Sequence, residues 1–564
     1  MEALSMLDIR TQPESIVSQN KHTSDAIRLD GYSLELSDVE DIKFRDAKVA
    51  ICQRLTKEKA FEPSCALLKE QLDAGRVIYG VNTLFGGLAN QEAIDPMELQ
   101  RELLLSHMAG AGEALEDQDV KLALILRANS LCHGVSAIRE NIVDRYLQLA
   151  NRDILPLVQQ YGSIGASGDL IPLSAIAGAV TGQSGDFKLK VDGHYHPAPE
   201  ILEKLDLPAI ALKPKEGLAL INGTSVLTAI AANNCLKMSY LFNLHMILQV
   251  AVAEILNCDM RPFSEFIQRH RPHPGQKWVA ARLRDMLASS SMVRDINQVE
   301  RDFAEDDLIQ DRYSVRCMPQ FLGAIVEDLT GINRTVTVEM NSATDNPLID
   351  VEAGEFLHGG NFLGQHVAMS MDKMRVSIAL LAKHNEAQIA TLVEPAFSRG
   401  LSASLVADTD IGQSVGVKPL QILSNSLTPL LEQNANPLTT HFPVHGEQFN
   451  QNINSQGFGS AQLTRKSVDI FTKQTACMSL IVCHAMQLKA AQLDKPVAEL
   501  FSVSSCQLLA GLTKLTNEHD EEKGFIIGKA SSGKFSEWLE HIAKGVEDRT
   551  LGNFEDIFDV GTTL

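Results

Sequence analysis

Three long stretches of the chain combine apolar residues with an absence of helix breakers. Residues 226–258 contain neither glycine nor proline, and a helix of about 30 residues is roughly 45 Å long. The second stretch opens near Asn361, and its apolar residues alternate at spacings of four and three, as in a heptad seam: Val367, Met371, Met374, Ile378 and Leu381. The third stretch runs from about Ser460 to Leu493. The pattern predicts a mainly α-helical protein built on an elongated central helical bundle.

The segments outside these stretches predict shorter elements. Residues 1–27 are polar and lack periodicity, which predicts a mobile tail. Shorter helical patterns follow, and FKLKVDGHYHP around 187–200 reads as a β-hairpin. We therefore divide the chain into four parts: the tail at 1–27, an N-terminal domain with small β hairpins at 28–225, the central long-helix bundle at 226–495, and a C-terminal segment of helix and loop at 496–564.

Charge and cysteine usage exclude several kinds of partner. The chain has 564 residues and a formal net charge of −21, so we expect it to bind neither nucleic acid nor anionic membrane, which attract basic surfaces. We see no run of about 18 uninterrupted apolar residues and no apolar signal segment near the start, and we predict no membrane span. The nine cysteines are dispersed, which predicts reduced thiols and a cytoplasmic location. We find no zinc-like spacing of ligands and expect no metal.

Candidate chemistry centres on the glycine-rich stretch GSIGASGDLIPL at 162–173. Glycine at every third position lets the backbone adopt positive φ and turn tightly. Between Gly165 and Gly168 lie only Ala166 and Ser167, so the Gly168 nitrogen can approach the Ala166 carbonyl carbon. Ring closure would lose one water, and loss of the Ser167 hydroxyl would lose a second. The product would be a 4-methylideneimidazol-5-one (MIO), an electrophile made from the chain itself.

This stretch resembles the signature of the aromatic amino acid ammonia-lyases and aminomutases, whose prosthetic group forms in this way. Further blocks resemble the same family in the same order, from Tyr79 to about Gly457: YGVNTLFGG, EGLALINGT, QDRYSVRCMPQ, TDNP, HGGNF and EQFNQN. The resemblance implies a helical fold of the fumarase-like superfamily and a homotetramer whose active sites are shared between subunits. It also implies the compact bacterial type, without the C-terminal insertion of the plant enzymes, and no external cofactor.

The resemblance also implies a role for each site residue. Removing ammonia from an α-amino acid needs an electrophile for the amine, a base for the β-proton and a cation for the carboxylate. These roles fall to Ala166-Ser167-Gly168, to Tyr79 and to Arg316, and we expect nearby positive charge to lower the pKa of Tyr79. The remaining residues are a second tyrosine, support for the ring and contacts to the substrate: Tyr313, Leu218, Asn222, Asn346, Phe362 and Gln448.

Two positions bear on the substrate. Histidine ammonia-lyases carry a glutamate where this chain has Gln448, so the amide argues against histidine. Ring selectivity in the family resides at Ser106-His107-Met108, where His107 can hydrogen-bond a phenol and Met108 can adapt its shape. We expect L-tyrosine to be accepted together with L-phenylalanine, giving p-coumarate and cinnamate. Three alternatives stay open: an aminomutase that returns the ammonia to Cβ, a histidine ammonia-lyase, and an inactive helical scaffold.

Overall fold

The computed structural model describes residues 26–294, 310–407, 410–516, 525–528, 531, 533–552 and 554. This part of the chain is mainly α-helical. Its α-helices are α1 (Leu36–Phe44), α2 (Gln53–Lys57), α3 (Glu62–Asp73), α4 (Pro96–Ser106), α5 (Asp117–Leu131), α6 (Glu140–Ala150), α7 (Leu170–Thr181), α8 (Ala198–Lys204), α9 (Glu216–Ile221), α10 (Ser225–Ile255), α11 (Glu265–Arg269), α12 (Pro274–Leu287), α13 (Tyr313–Arg316), α14 (Met318–Met340), α15 (Gln365–Val393), α16 (Lys418–Asn434), α17 (Gly457–Leu493), α18 (Val497–Leu500), α19 (Val503–Thr516) and α20 (Phe535–Glu547). Short 3₁₀ turns lie at Gly86–Leu88, Arg261–Phe263 and Ala403–Leu405.

The three long helices predicted from the sequence are confirmed as α10, α15 and α17. They pack against one another, and α10 also contacts α5 and α14. Almost every side chain of α10 is buried, which explains why its sequence is apolar on all sides. It ends where Asn257 adopts a left-handed backbone conformation with φ +51°, a common way to stop a helix. The bundle also contains α14 and α16, which the sequence pattern did not single out.

The heptad seam on α15 faces the bundle as predicted, because all five of its apolar side chains are fully buried. The opposite side of α15 carries a second set of apolar residues at spacings of seven and four. In the single chain these side chains are exposed: Met369, Val376 and Leu380. The outer face of α15 is therefore apolar at these three positions.

The small sheets differ in part from the prediction. The hairpin around 187–200 is confirmed as β6 (Lys188–Val191) and β7 (His194–Pro197), whereas β1 (Ala26–Leu29) pairs in parallel with β2 (Lys48–Ile51) and forms no hairpin. A further hairpin, β8 (Leu348–Asp350) and β9 (Glu355–Leu357), lies inside the predicted central bundle. The strands are β1 (Ala26–Leu29), β2 (Lys48–Ile51), β3 (Ala111–Ala114), β4 (Leu155–Pro156), β5 (Gln159–Tyr161), β6 (Lys188–Val191), β7 (His194–Pro197), β8 (Leu348–Asp350) and β9 (Glu355–Leu357).

Three sequence predictions concern the chain as a whole. The predicted tail lies outside the described residues, except for Ala26 and Ile27, which begin β1. Among the described helices, α10 is long and apolar enough to cross a membrane, yet its apolar window is wholly buried inside the protein. All nine cysteines are free thiols, as predicted. The domain boundaries stay predictions.

Candidate active site

The glycine-rich stretch forms the tight turn that the sequence predicts. Gly165 and Gly168 have φ values of +61° and +70°, which disfavour any other residue. A Cβ on Gly168 would overlap the carbonyl group of Gly223, and the next residue, Asp169, donates its backbone N–H to that carbonyl at 2.8 Å. The turn is therefore pressed against the segment that precedes α10.

A second segment holds the other side of this turn. The Ser455 hydroxyl donates to the Gly165 carbonyl at 2.7 Å, and the Gln456 N–H donates to the Ile164 carbonyl at 2.9 Å. Gln451 donates from Nε2 to the Ser167 hydroxyl at 3.1 Å. The sequence pattern does not single out Gln451 or Ser455 as site residues. The hydroxyl that ring formation would remove is thus held by a side chain 284 positions further along the sequence.

Asp169 connects the turn to α10 through its side chain. Its carboxylate is buried and accepts hydrogen bonds from the Ser163 hydroxyl at 2.8 Å and from the Leu227 N–H at 2.7 Å. Burial raises the pKa of this carboxyl to about 7, although both hydrogen bonds favour the charged form. Asp169 therefore links the turn to the first residues of α10.

Two predicted asparagines meet beside the turn. Asn222 donates from Nδ2 to the Asn346 carbonyl at 3.1 Å, and the Asn346 side chain accepts from the Gly359 N–H at 2.9 Å. A buried ion pair between Lys215 and Asp345 at 2.5 Å joins the same two segments. The Oδ1 atom of Asn222 is buried and has no hydrogen-bond partner among the described residues. A buried polar atom without a partner is costly, so this acceptor suits a donor supplied by a bound molecule.

Tyr79 lies in the loop before α4. Its Oη accepts from the Gly86 N–H at 3.0 Å, and its ring meets the edge of His358 with centroids 5.7 Å apart. Burial raises the pKa of the Tyr79 phenol, the Gly86 N–H partly opposes this, and the Glu447 carboxylate raises it further. The prediction of a lowered pKa is therefore wrong for the single chain.

Two further predicted residues, Leu218 and Gln448, lie against this loop, and a third, Phe362, lies in the turn before α15. Leu218 is buried and faces Gly80, directly after Tyr79. Gln448 is exposed, and its side-chain carbonyl lies against Gly87 of the same loop, not against Ser167. Phe362 is half-buried in the turn before α15. Gln448 and Gln451 therefore hold different parts of the site, and the role given to Gln448 stays a prediction.

His107 and Met108 follow α4 and lead towards the glycine-rich turn. They precede β3, which pairs with β5, and β5 ends at Tyr161 immediately before Gly162. Nδ1 of His107 lies 2.8 Å from the Leu103 carbonyl oxygen. Because a carbonyl only accepts, this hydrogen bond places the proton on Nδ1 and leaves Nε2 of the neutral ring as an acceptor. Met108 is exposed.

Tyr313 and Arg316 lie together on α13, apart from the other predicted residues. The Arg316 guanidinium lies 4.6 Å from the Tyr313 ring centroid, and the Tyr313 side chain is 72% exposed. Nε of Arg316 is buried without a hydrogen-bond partner in the described part of the chain. This arrangement leaves the guanidinium able to receive an anion such as a carboxylate.

Helix α15 separates α13, which carries Tyr313 and Arg316, from the glycine-rich turn. Gly364 at its start lies against Ser455, which holds the glycine-rich turn. His384, near its other end, contacts the carbonyl of Ser314 on α13. The intervening helix of about 20 residues spans about 30 Å. A single chain therefore does not bring Arg316 to Ser167.

Comparison with known proteins identifies the family of the chain. The family model described as aromatic amino acid lyase matches residues 34–505. The chain belongs to the aromatic amino acid lyase family. A phenylalanine ammonia-lyase of Nostoc punctiforme is 43% identical over 459 residues, covering 81% of each chain. An aromatic ammonia-lyase of Loktanella atrilutea is 38% identical and covers 82% of this chain and 85% of its own length.

Solved structures show the same fold. The phenylalanine aminomutase of Pantoea agglomerans superposes with a TM-score of 0.83 at 27% identity, covering 94% of this chain and all of its own. The fold class predicted from the sequence, a helical bundle of the fumarase-like ammonia-lyase type, is therefore confirmed. Proteins named as lyases and proteins named as aminomutases are both similar to this chain. The fold therefore does not by itself distinguish the two reactions.

Proposed function

We propose that the protein removes ammonia from an aromatic L-amino acid without oxidation, giving a trans-aryl acrylate. The observation that carries this proposal is the turn at Ala166-Ser167-Gly168, whose backbone is fixed on both sides while the Ser167 hydroxyl is held by Gln451. The residues present fit an MIO group formed here, because glycine is required at 168 and hydrogen bonds from Ser455 and Gln456 fix the backbone of the turn. Once formed, this group supplies an electrophile for the substrate amine.

The chain's own side chains perform the remaining tasks. Tyr79 takes the β-proton, and its Oη is already oriented by the Gly86 N–H. Arg316 binds the substrate carboxylate through its guanidinium, with Tyr313 beside it. Asn222 accepts a hydrogen bond from the substrate ammonium. The remaining predicted contacts to substrate are Leu218, Asn346, Phe362 and Gln448, and we add Gln451 to them.

We further propose a homotetramer with shared active sites. Arg316 and Ser167 are too far apart in one chain to hold one amino acid. The exposed apolar face of α15 at Met369, Val376 and Leu380 supports packing against a second copy. A two-fold axis crossing α15 near Val376 would place the His384 end of one copy beside the Gly364 end of the other. That arrangement would complete the site with Arg316 of a second subunit.

We expect the site to accept a ring with a hydroxyl donor as well as a plain phenyl ring. Nε2 of neutral His107 is an acceptor that can receive the phenol O–H of tyrosine. The amides of Gln448 and Gln451 provide no carboxylate for an imidazole, which argues against histidine. The higher identity to proteins named as lyases favours the lyase over the mutase. The free cysteines support a cytoplasmic location.

A competition experiment tests the proposal. The purified protein is incubated with equimolar L-phenylalanine, L-tyrosine and L-histidine, and every product is identified by chromatography and mass. Product ratios report relative kcat/KM values directly. We expect p-coumarate and cinnamate. β-Amino acids would identify a mutase, urocanate would overturn the exclusion of histidine, and an absence of products would indicate an inactive scaffold.

A further inference from the structure

We propose that His384 and Gln388 are positioning residues for the carboxylate-binding arginine. They hold α13, the helix that carries Tyr313 and Arg316, by the carbonyl of Ser314. The inference rests on the proposed function, because Arg316 matters only if a substrate carboxylate binds there.

Helix α13 cannot hold its own position. It has four residues, and helices this short are unstable without outside contacts. The carbonyls near the end of a helix have no partner within it. The Ser314 carbonyl instead accepts two hydrogen bonds, from Nε2 of His384 at 2.7 Å and from Nε2 of Gln388 at 2.7 Å. Both donors lie four residues apart on the same face of the long helix α15.

The His384 side chain is itself fixed. It is buried, with its ring between those of His245 and Phe321 at centroid distances of 5.3 and 5.2 Å. Because its Nε2 donates to a carbonyl, its Nδ1 accepts from Nε2 of His245, 3.1 Å away. Burial lowers the pKa of His384 to about 4, which keeps the ring in the neutral form that this arrangement needs.

Gln388 is held in the same way. Its side chain is fully buried, and its Nε2 donates to Oε1 of Gln249 on α10 at 3.0 Å as well as to Ser314. Both N–H groups of the amide are therefore used. The Ser314 carbonyl of α13 is thus held by two donors anchored in the core of the bundle, and Arg316 lies only two residues beyond it.

The consequence concerns substrate binding rather than folding alone. Bidentate recognition of a carboxylate depends on the orientation of the guanidinium plane. A displacement of about 1 Å at a binding group can cost a large factor in rate. Loss of the anchor should therefore weaken binding of molecules that carry a carboxylate and leave others unaffected.

Matched substitutions of His384 test this inference. A glutamine side chain can place an amide N–H close to the position of Nε2, whereas the shorter asparagine cannot. We expect His384→Asn to raise the KM for L-phenylalanine and the Ki of cinnamate roughly tenfold, with a smaller effect on kcat. His384→Gln should stay within about threefold of the wild type. The Ki of phenethylamine, which lacks the carboxylate, should not change in either variant.

A double-mutant cycle separates positioning from a general structural role. Arg316→Lys removes the bidentate contact, so His384→Asn added to it should cost less than about twofold further if His384 acts through Arg316. If the fold-losses of the two single variants multiply in the double variant, the inference is wrong. It is also wrong if His384→Asn weakens the binding of phenethylamine as much as that of cinnamate. If His384→Asn does not fold, Gln388→Met serves in the same cycle, since it removes the donor and keeps the side-chain length. A wild type that makes no aryl acrylate would overturn the proposed function and this inference with it, whereas an active wild type with multiplying penalties overturns the inference alone.

Discussion

Gln451 donates a hydrogen bond from Nε2 to the Ser167 hydroxyl across 3.1 Å, although 284 positions separate the two residues. This contact connects the segment before α17 with the turn whose serine would lose its oxygen. Its neighbour in the same segment, Ser455, holds the backbone of the turn at Gly165. The turn is thus assembled only when the distant halves of the chain have packed, so we expect ring formation to follow folding.

The first prediction compares the two glutamines of the EQFNQN block. Gln451→Leu removes the hydrogen bond to Ser167, worth about 1 kcal/mol, and frees the hydroxyl to rotate. We expect a slower loss of water at this turn, measured as a larger fraction of peptide at full mass in freshly purified protein. Gln448→Leu is the matched control and should leave that fraction unchanged, since Gln448 lies against Gly87. The opposite ranking would show that Gln448, and not Gln451, assists the loss of water at this turn.

The second prediction concerns ring selectivity. His107→Phe removes the Nε2 acceptor, so the ratio of kcat/KM for tyrosine over phenylalanine should fall by about tenfold or more. Competition between the two substrates measures the ratio directly. Met108→Leu, which changes the adjacent exposed side chain without removing a hydrogen bond, should shift the ratio much less. An unchanged ratio in His107→Phe would exclude His107 as the phenol partner.

The third prediction uses the pKa of Tyr79. The phenolate is the base, and because burial and Glu447 raise the pKa of the phenol, kcat/KM should rise with pH through the neutral and alkaline range. Glu447→Gln removes a negative charge that favours the protonated phenol, so the pKa falls and the rising limb moves to lower pH.

The position of that limb is the readout, because the rate itself can fall for other reasons. Glu203→Gln, at an exposed position on α8, is the charge-matched control and should leave the profile in place. A limb that stays fixed in Glu447→Gln would show that Glu447 does not act on the pKa of Tyr79.

The sequence predicted the parts of the fold that have a local cause. Helix α10 lacks breakers, and the seam from Val367 to Leu381 has a heptad spacing, so both follow from periodicity alone. The parallel pairing of β1 with β2 joins strands separated by a helix. No local sequence pattern predicts this pairing.

The site also contains features that the local sequence predicts and features that depend on the path of the folded chain. The turn at Gly168 was predictable because only glycine tolerates its backbone, whereas Asn222 was predicted only from the resemblance of its block to the family. Gln448 and Gln451 lie three residues apart in one polar block, and only the path of the chain decides which one reaches Ser167. The pKa of Tyr79 depends on Glu447, which is close to it in space and distant in sequence. Neither relationship could be deduced from residue types and spacing.

The mass of the tryptic peptide spanning residues 153–188 tests the central claim most directly. The account predicts that this peptide from the wild-type protein is lighter than its sequence by two waters. It also predicts that Ser167→Ala, which cannot lose the hydroxyl, lacks this loss and makes no aryl acrylate while unfolding at a similar temperature. A wild-type peptide at its full sequence mass, or near-normal turnover by folded Ser167→Ala, would contradict it.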